Sequence, residues 1–171
     1  EGKWSTAVGQ EAHAEADYTL AAGYTAKASG EQSTAVGFNS ESRGFASNAI
    51  GYSSLAEGDS STAVGYRAYA EKEMDLAVGH TAIASGGQST AVGLNSKSKG
   101  LASNAIGGQS VAEGNYSTAV GSGAQAKAEY TLAAGHDAIA SGKQSTAVGY
   151  RSNASGRASF AQGSSALASG D

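Results

Sequence analysis

A glycine recurs every fourteen residues along the chain, and no insertion or deletion interrupts that period. An alanine stands two residues before each of these glycines, as in the segment from Ser33 to Gly37, which reads STAVG. A second glycine follows seven residues later in most units. A fixed period carried this far predicts a repeat architecture in which each unit contacts mainly its neighbours. The recurring glycines are Gly9, Gly23, Gly37, Gly51, Gly65, Gly79, Gly93, Gly107, Gly121, Gly135, Gly149 and Gly163.

Within each unit, small and variable residues alternate in two short runs. We number the unit from 1 to 14 and end it at the recurring glycine, so that residues 10–23 form the first complete unit. Positions 3 and 5 are alanine or serine, position 10 is usually serine and position 12 is always alanine. An alternation with a period of two predicts strands with one buried face. Each unit is therefore predicted to form two strands joined by two bends, where glycine adopts positive φ without a Cβ clash.

A longer period of 56 residues groups the units in fours. The middle glycine is replaced by Ala16, Lys72 and Ala128 in three units that lie one block apart, and the same three units place leucine at position 11. We interpret residues 10–65, 66–121 and 122–171 as duplicated blocks within one repeat domain that spans residues 1–171.

The composition argues against several classes of function. The net charge is −4 and is spread along the chain, so we expect no nucleic-acid partner and no membrane contact through a polybasic patch. No apolar run is long enough to span a bilayer, so any export signal or anchor is expected outside these residues. Cysteine is absent, which removes disulfides and thiolate chemistry.

No group of residues indicates catalysis. The three histidines, His13, His80 and His136, have no second ligand spaced for zinc. The serines lie outside a Gly-x-Ser-x-Gly elbow between a strand and a helix. Glu57 and Glu113 repeat at the block spacing, which indicates solvated carboxylates rather than an acid–base pair. We therefore expect no enzymatic activity, no metal site and no cofactor.

A row of aliphatic residues lies beside the bend glycines, on the strand face opposite the alanines. A row of this length would exceed the few hundred Å² of contiguous apolar surface that a soluble monomer usually exposes. Because the row is repetitive, its simplest partner is the same row on identical chains related by cyclic symmetry, and three copies enclose it better than two. The predicted homotrimer interface comprises Val8, Leu20, Val36, Ile50, Val64, Leu76, Val78, Val92, Ile106, Val120, Leu132 and Val148.

Three stretches carry a family resemblance. The segments 33–40 (STAVGFNS), 47–54 (SNAIGYSS) and 145–152 (STAVGYRS) resemble the head repeat of the YadA-like trimeric autotransporter adhesins. The resemblance implies an all-β fold, namely a left-handed parallel β-roll (solenoid) of fourteen-residue turns that trimerises about its long axis. It also implies exposure on the surface of a Gram-negative bacterium, with a stalk and an outer-membrane anchor outside this fragment. At Thr34 and Asn48 the family often has a larger aliphatic residue.

These features together predict adhesion. A rigid trimeric rod would attach the bacterium to a host extracellular-matrix protein or cell-surface receptor, a role in virulence, through many weak contacts summed by avidity. Aromatic residues and arginines are favoured at binding hot spots. The candidate contact residues are Tyr24, Phe38, Tyr52, Tyr66, Arg67, Tyr69, Tyr150 and Arg151.

Two alternatives to adhesion stay open at this point. One is an ice-binding solenoid, because threonine recurs at position 11 in Thr34, Thr62, Thr90 and Thr146. That row is broken by leucine and asparagine in the other units. The other alternative is a spacer without a ligand, which would only extend an adhesin fibre.

Overall fold

Each fourteen-residue unit folds into one coil, in which a three-residue strand, a bend, a two-residue strand and a second bend follow one another. The computed structural model describes residues 2–170. Glu1 and Asp171, the ends of the predicted domain, lie outside the described residues. No helix occurs in residues 2–170, and so none that is long and apolar enough to cross a membrane.

The strands form two parallel sheets of twelve strands each. Sheet A contains the three-residue strands and sheet B the two-residue strands. The strands of sheet A are β1 (Thr6–Val8), β3 (Leu20–Ala22), β5 (Thr34–Val36), β7 (Asn48–Ile50), β9 (Thr62–Val64), β11 (Leu76–Val78), β13 (Thr90–Val92), β15 (Asn104–Ile106), β17 (Thr118–Val120), β19 (Leu132–Ala134), β21 (Thr146–Val148) and β23 (Phe160–Gln162). The strands of sheet B are β2 (His13–Ala14), β4 (Lys27–Ala28), β6 (Glu41–Ser42), β8 (Leu55–Ala56), β10 (Tyr69–Ala70), β12 (Ile83–Ala84), β14 (Lys97–Ser98), β16 (Val111–Ala112), β18 (Gln125–Ala126), β20 (Ile139–Ala140), β22 (Asn153–Ala154) and β24 (Leu167–Ala168).

Every strand pairs with the equivalent strands of the preceding and following coils. In β5 and β7, for example, Ala35 pairs with Ala49 and Val36 pairs with Ile50. The register never slips, so each of the fourteen positions forms a ladder along the long axis. This arrangement confirms the predicted parallel β-solenoid of about twelve turns, although the strands are shorter than the alternating runs of the sequence.

The interior between the two sheets is filled with alanine and serine. Ala35, Ala63 and Ala91 of sheet A are fully buried, as are the alanines of sheet B that face them. Several of the buried serines also donate hydrogen bonds to backbone carbonyls in the bends. Ser47 donates its hydroxyl hydrogen to the carbonyl oxygen of Gly44 at 2.7 Å. Small side chains are required because the two sheets of one coil approach each other closely.

The recurring glycines are needed where one coil passes over the next. Gly37 has a φ of 132°, and a Cβ on it would lie 2.4 Å from the carbonyl oxygen of Gly51. At the other bend, a Cβ on Gly30 would lie 2.0 Å from the carbonyl oxygen of Gly44. Both distances are too short for any side chain. Coil-to-coil stacking therefore enforces the glycine period.

Both bends also contain a left-handed residue that is usually not glycine. Position 2 has this conformation at Asn39 (φ 52°), and position 9 has it at Gln32 (φ 60°). Side chains other than those of asparagine, aspartate and histidine rarely adopt positive φ. The left-handed conformation at these positions could not be predicted, because their residue types vary from coil to coil.

One coil, residues 66–79, departs from the others at its second bend. Asp75 stands where other coils have serine or threonine, and it is only 1% exposed. Its carboxylate accepts hydrogen bonds from the backbone N–H groups of Lys72 (2.9 Å), Gly87 (3.0 Å) and Ser89 (2.9 Å), and from the Ser89 hydroxyl (2.8 Å). In most other coils the N–H equivalent to that of Ser89 donates to a bend carbonyl three residues earlier. The Asp75 carboxylate thus replaces the bend carbonyl as the acceptor for the N–H of Ser89 in the next coil.

Candidate assembly and ligand-binding surfaces

The outer face of sheet A is formed by positions 11 and 13 of each coil. Position 13 carries a ladder of valine and isoleucine in which Val64, Val78, Val92 and Ile106 follow one another in register. None of these side chains contributes to the alanine core. Val8 is 58% exposed, and Ile50 and Ile106 are each 42% exposed. The single chain therefore presents an uncovered aliphatic stripe along this face.

All twelve predicted interface residues lie on this outer face. Val8, Val36, Ile50, Val64, Val78, Val92, Ile106, Val120 and Val148 occupy position 13, whereas Leu20, Leu76 and Leu132 occupy position 11. Position 13 is the smaller alanine in two strands, at Ala22 and Ala134. There Leu20 and Leu132, at position 11 of the same strands, supply the large aliphatic side chain. Contact with a second chain stays a prediction.

The threonines of position 11 do not form a continuous row on this face. Thr34 pairs with Leu20 on one side and with Asn48 on the other. The same interruption recurs at Thr90, which lies between Leu76 and Asn104. Ice binding would need a flat, regular array, so nothing on this face favours that alternative.

The side chains at position 1 form the first-bend ladder, which follows sheet A at each coil. Tyr24, Phe38, Tyr52, Tyr66 and His80 stack ring upon ring, with centroid separations of 5.1, 5.0, 5.1 and 4.6 Å. Neighbouring rings cover one another's faces, and the edges remain open to solvent. This ladder brings together four of the predicted contact residues.

The remaining predicted contact residues are separated along the rod. Arg67 lies over the ring of Tyr66, with its Cζ atom 5.3 Å from the centroid, and Arg151 lies over Tyr150 at 5.0 Å. Tyr150 belongs to the first-bend ladder but lies beyond its interruption at Leu94, Gly108 and Ser122. Tyr69 is on sheet B, in β10.

The side chains at position 9 form the second-bend ladder, which precedes sheet A at the opposite end of each coil. Trp4 stacks on Tyr18 at 4.9 Å, and Tyr116 stacks on Tyr130 at 5.3 Å. These aromatic residues have left-handed backbones, with φ between 55° and 59°. The sequence-based contact prediction did not include any of them.

The outer face of sheet B carries charged groups between separate aliphatic residues such as Leu55, which pairs with Glu41, and Val111, which pairs with Lys97, and so has no continuous aliphatic stripe. Arg43 donates hydrogen bonds to Glu41, with Nε 2.8 Å from Oε1, and also to Glu57 of the next coil. The hydroxyl of Tyr69 donates to Glu57. One block later, Lys99 and Glu113 form the equivalent pair at 3.1 Å.

Two ionisable groups of this sheet B network are shifted. The hydrogen bond to Glu41 raises the pKa of the Arg43 guanidinium, which keeps it charged. Burial raises the pKa of the Tyr69 phenol well above its usual value, and the bond to Glu57 adds to that shift. Both groups therefore hold their protons at neutral pH, and this face stays a fixed pattern of charges and donors.

The histidines lie apart from one another on the described surface. His13 is on sheet B, whereas His80 is stacked in the first-bend ladder. The Nδ1 atom of His136 lies 3.1 Å from a carboxylate oxygen of Asp137. Within residues 2–170, no group of three or more histidine, aspartate or glutamate side chains is arranged to hold a metal ion, and the surface has no pocket.

The repeats match a known family. A family model described as the YadA head domain repeat (2 copies) matches residues 1–26, 16–40, 44–68, 70–96, 98–124 and 126–152. The chain belongs to this family. No curated protein sequence matches the chain at a significant level. The predicted YadA-like resemblance is thus confirmed over most of the length.

Membership of the YadA head family gives the chain its general role. YadA head repeats belong to the heads of trimeric autotransporter adhesins, which are exposed at the cell surface. In this YadA-like chain, the same few side-chain ladders recur on coil after coil. The geometry therefore presents repeated surfaces along a rod and has no enclosed site among the described residues.

Proposed function

We propose that three copies of this chain assemble about the long axis of the solenoid and form a multivalent attachment rod. The outer faces of sheet A meet at the axis, which removes the aliphatic stripe from water. Burial of apolar surface contributes roughly 25 cal/mol per Å², and this contribution accrues at every coil. The observation that supports the proposal is the contrast between that continuous stripe and the outer face of sheet B, where charged residues interrupt the aliphatic ones.

The assembled rod holds the outer face of sheet B toward the surroundings. We propose that this face binds a host extracellular-matrix protein or a cell-surface receptor, with no chemical reaction and no cofactor. The polar groups near Arg43 and Tyr69 recur three times around the axis, so weak contacts are summed by avidity. An outer-membrane anchor beyond these residues would hold the rod on a Gram-negative bacterium.

The proposed function is tested by solid-phase binding to immobilised collagen, fibronectin and laminin, and to host cells. Wild-type protein should bind at least one of these surfaces. Val92→Asp, which places a carboxylate in the aliphatic stripe, should bind at least about tenfold more weakly because avidity is lost. Circular dichroism checks that the variant keeps its strands.

A matched pair of double variants locates the contact surface. Arg43→Ala with Tyr69→Ala should weaken binding, whereas Arg67→Ala with Arg151→Ala, at the first bend, should leave it nearly unchanged if sheet B is the contact face. The reverse result would move the contact to the first bend. A trimer that binds none of the tested surfaces would instead be a spacer.

A further inference from the structure

Within each coil, only one of the two bend ladders carries a bulky side chain. In every complete coil from residue 10 to residue 163, an aromatic residue or leucine occupies either position 1 or position 9, and never both. At these two positions, Met74 is the one long aliphatic side chain in a coil whose other bend carries an aromatic residue, Tyr66. The bulky residues are Tyr24, Phe38, Tyr52, Tyr66, His80, Leu94, His136 and Tyr150 at position 1, and Tyr18, Tyr116 and Tyr130 at position 9.

The duplicated blocks show that the two ladders change together. Coil 52–65 has Tyr52 at the first bend and Ser60 at the second. One block later, coil 108–121 has Gly108 and Tyr116 in these places. The coils that follow show the same exchange. Ser122 takes the place of Tyr66, and Tyr130 takes the place of Met74. A bulky group lost at one bend is thus regained at the other.

Among residues 2–170 of a single chain, no ring contact joins the two ladders. They lie at opposite ends of each coil with a strand between them, and each ring stacks only within its own ladder. Gly108 is not required by its own backbone, since an added Cβ would meet no atom closer than the Leu94 carbonyl oxygen at 3.9 Å. Tyr116 has a φ of 55°, a conformation that bulky residues rarely adopt. The stack with Tyr130 gives the Tyr116 ring a partner within the chain, whereas the backbone does not require glycine at 108.

We propose that the first-bend ladder of one copy packs against the second-bend ladder of the next copy, coil for coil, around the axis of the trimer. This inference rests on the trimer of the proposed function. A cyclic assembly joins copies through two different surfaces, head to tail. Both ladders flank sheet A, so the seams continue the aliphatic interface at its two edges. Each contact then contains one bulky side chain and one smaller or more flexible one.

The pattern also favours copies that lie at one height along the axis, as a closed cyclic assembly requires, over an open assembly in which each copy is displaced by one coil. If the ladders were shifted by one coil, Tyr24 would meet Tyr18, and Gly108 would face Ala102. One contact would be overfilled and another would contain a gap, and both errors destabilise a packed interface. The aliphatic stripe is nearly the same in every coil and discriminates poorly between registers. The alternating seam supplies the missing discrimination.

The seam changes the assignment of the first-bend aromatics. Tyr24, Phe38, Tyr52 and Tyr66 become interchain packing residues, and ligand contact falls to sheet B, where Tyr69 lies. These aromatic residues are 39–46% exposed in the single chain. In the trimer they would lose much of that exposure.

Disulfide cross-linking tests the seam directly, because the chain contains no cysteine. The variant Gly108→Cys with Tyr116→Cys should give a covalent trimer on a non-reducing gel after oxidation. Gly108→Cys with Gln144→Cys, which places the second cysteine at the same bend two coils further along the axis, should not. Either cysteine alone should leave single chains, and a mixture of the two single variants, unfolded and refolded together, should give cross-linked species.

Sedimentation separates the possible failures. A non-covalent trimer that forms no cross-link between 108 and 116, or that cross-links between 108 and 144 instead, would overturn the seam and leave the proposed trimer intact. A monomer would overturn both. Each variant is first checked for its β-sheet circular dichroism, so that a misfolded chain is not scored.

A size exchange provides a second test without cysteine. Gly108→Tyr should raise the concentration at which the trimer dissociates by at least about tenfold, because the contact already holds Tyr116. A Cβ atom at Gly108 would lie no closer than 3.9 Å to any other atom of the isolated chain, so the strands should stay folded. Adding Tyr116→Ser recreates the pair found at Tyr52 and Ser60 and should restore assembly. An unchanged trimer in Gly108→Tyr, or no rescue by the second change, would contradict the seam.

Discussion

The outer faces of sheets A and B differ sharply, although one interior supports both. Positions 11 and 13 of sheet A carry no charged residue in any strand from Thr6 to Gln162. Positions 4 and 6 of sheet B carry Glu41, Arg43 and Glu57 in the first block and the Lys99–Glu113 pair in the second. A face that is aliphatic at position 13 of every strand from Val8 to Val148 suits a partner that is itself repetitive. A face whose charges change suits water and an unrelated ligand.

The largest effect is expected from a change in the shared interior, which should remove both faces at once. Ala91 is fully buried in β13. Ala91→Leu forces three more carbon atoms between closely stacked coils and should destabilise the fold by about 3 kcal/mol or more. Urea unfolding followed by circular dichroism measures the loss. Ser155→Leu, at an exposed position of sheet B, should change stability by less than about 0.5 kcal/mol, and equal effects would refute a close-packed interior.

The next largest effect should separate the faces. Val92 and Ile83 lie in the same coil, on the outer faces of sheets A and B respectively. Val92→Asp places three carboxylates near the trimer axis, where burial of charge is costly, and should reduce the sedimenting mass from three times 16.8 kDa to a single chain. Ile83→Asp should leave the trimer intact. A trimer that survives Val92→Asp, or is lost only with Ile83→Asp, would reverse the assignment of the inner face.

Much of the fold could be predicted from the sequence because stacking imposes local rules. The glycine at position 14 and the alanine at position 12 are set by contacts with the next coil, as Gly37 and Ala35 illustrate. Those contacts repeat every fourteen residues, so the pattern is visible in one dimension. Asp75 was missed because its bonds replace a backbone bond in the following coil, and one substitution within a repeat leaves no periodic signal.

The surfaces were less predictable than the interior. The aliphatic stripe was found because it alternates with the buried alanines on the same short strands. Tyr69 and Arg67 were grouped by residue type as contact candidates, yet the fold places Tyr69 on sheet B and Arg67 at the first bend. The second-bend aromatics at Trp4 and Tyr116 were not among the predicted contact residues, although the aromatic residues of the first bend were.

A smaller effect is expected from the charged network on sheet B. Arg43 bridges Glu41 and Glu57 at a side-chain exposure of 45%, where ion pairs contribute about 0–1 kcal/mol. Arg43→Ala should therefore lower the free energy of unfolding by no more than about 1 kcal/mol, with a smaller loss at high salt because exposed charges are screened. Lys99→Ala, one block later, is the matched control and should behave alike. A change in trimer mass in either variant would mean that sheet B also takes part in assembly.

The smallest effect concerns the Tyr69 phenol and appears only at alkaline pH. Burial is the larger cause, and the hydrogen bond to Glu57 the next, of the raised pKa of this group in the folded chain. An unfolded tyrosine titrates at about pH 10. The stabilisation is therefore complete below that pH and is lost as the pH rises, since the unfolded chain releases the proton first. Urea midpoints of wild type should fall more steeply between about pH 9 and 11 than those of Tyr69→Phe. Glu57→Gln should keep part of the slope, because burial is the larger cause. Parallel curves for wild type and Tyr69→Phe would mean that this phenol is as well solvated in the folded chain as in the unfolded one, and the outer face of sheet B would then lack the fixed donor assigned to it.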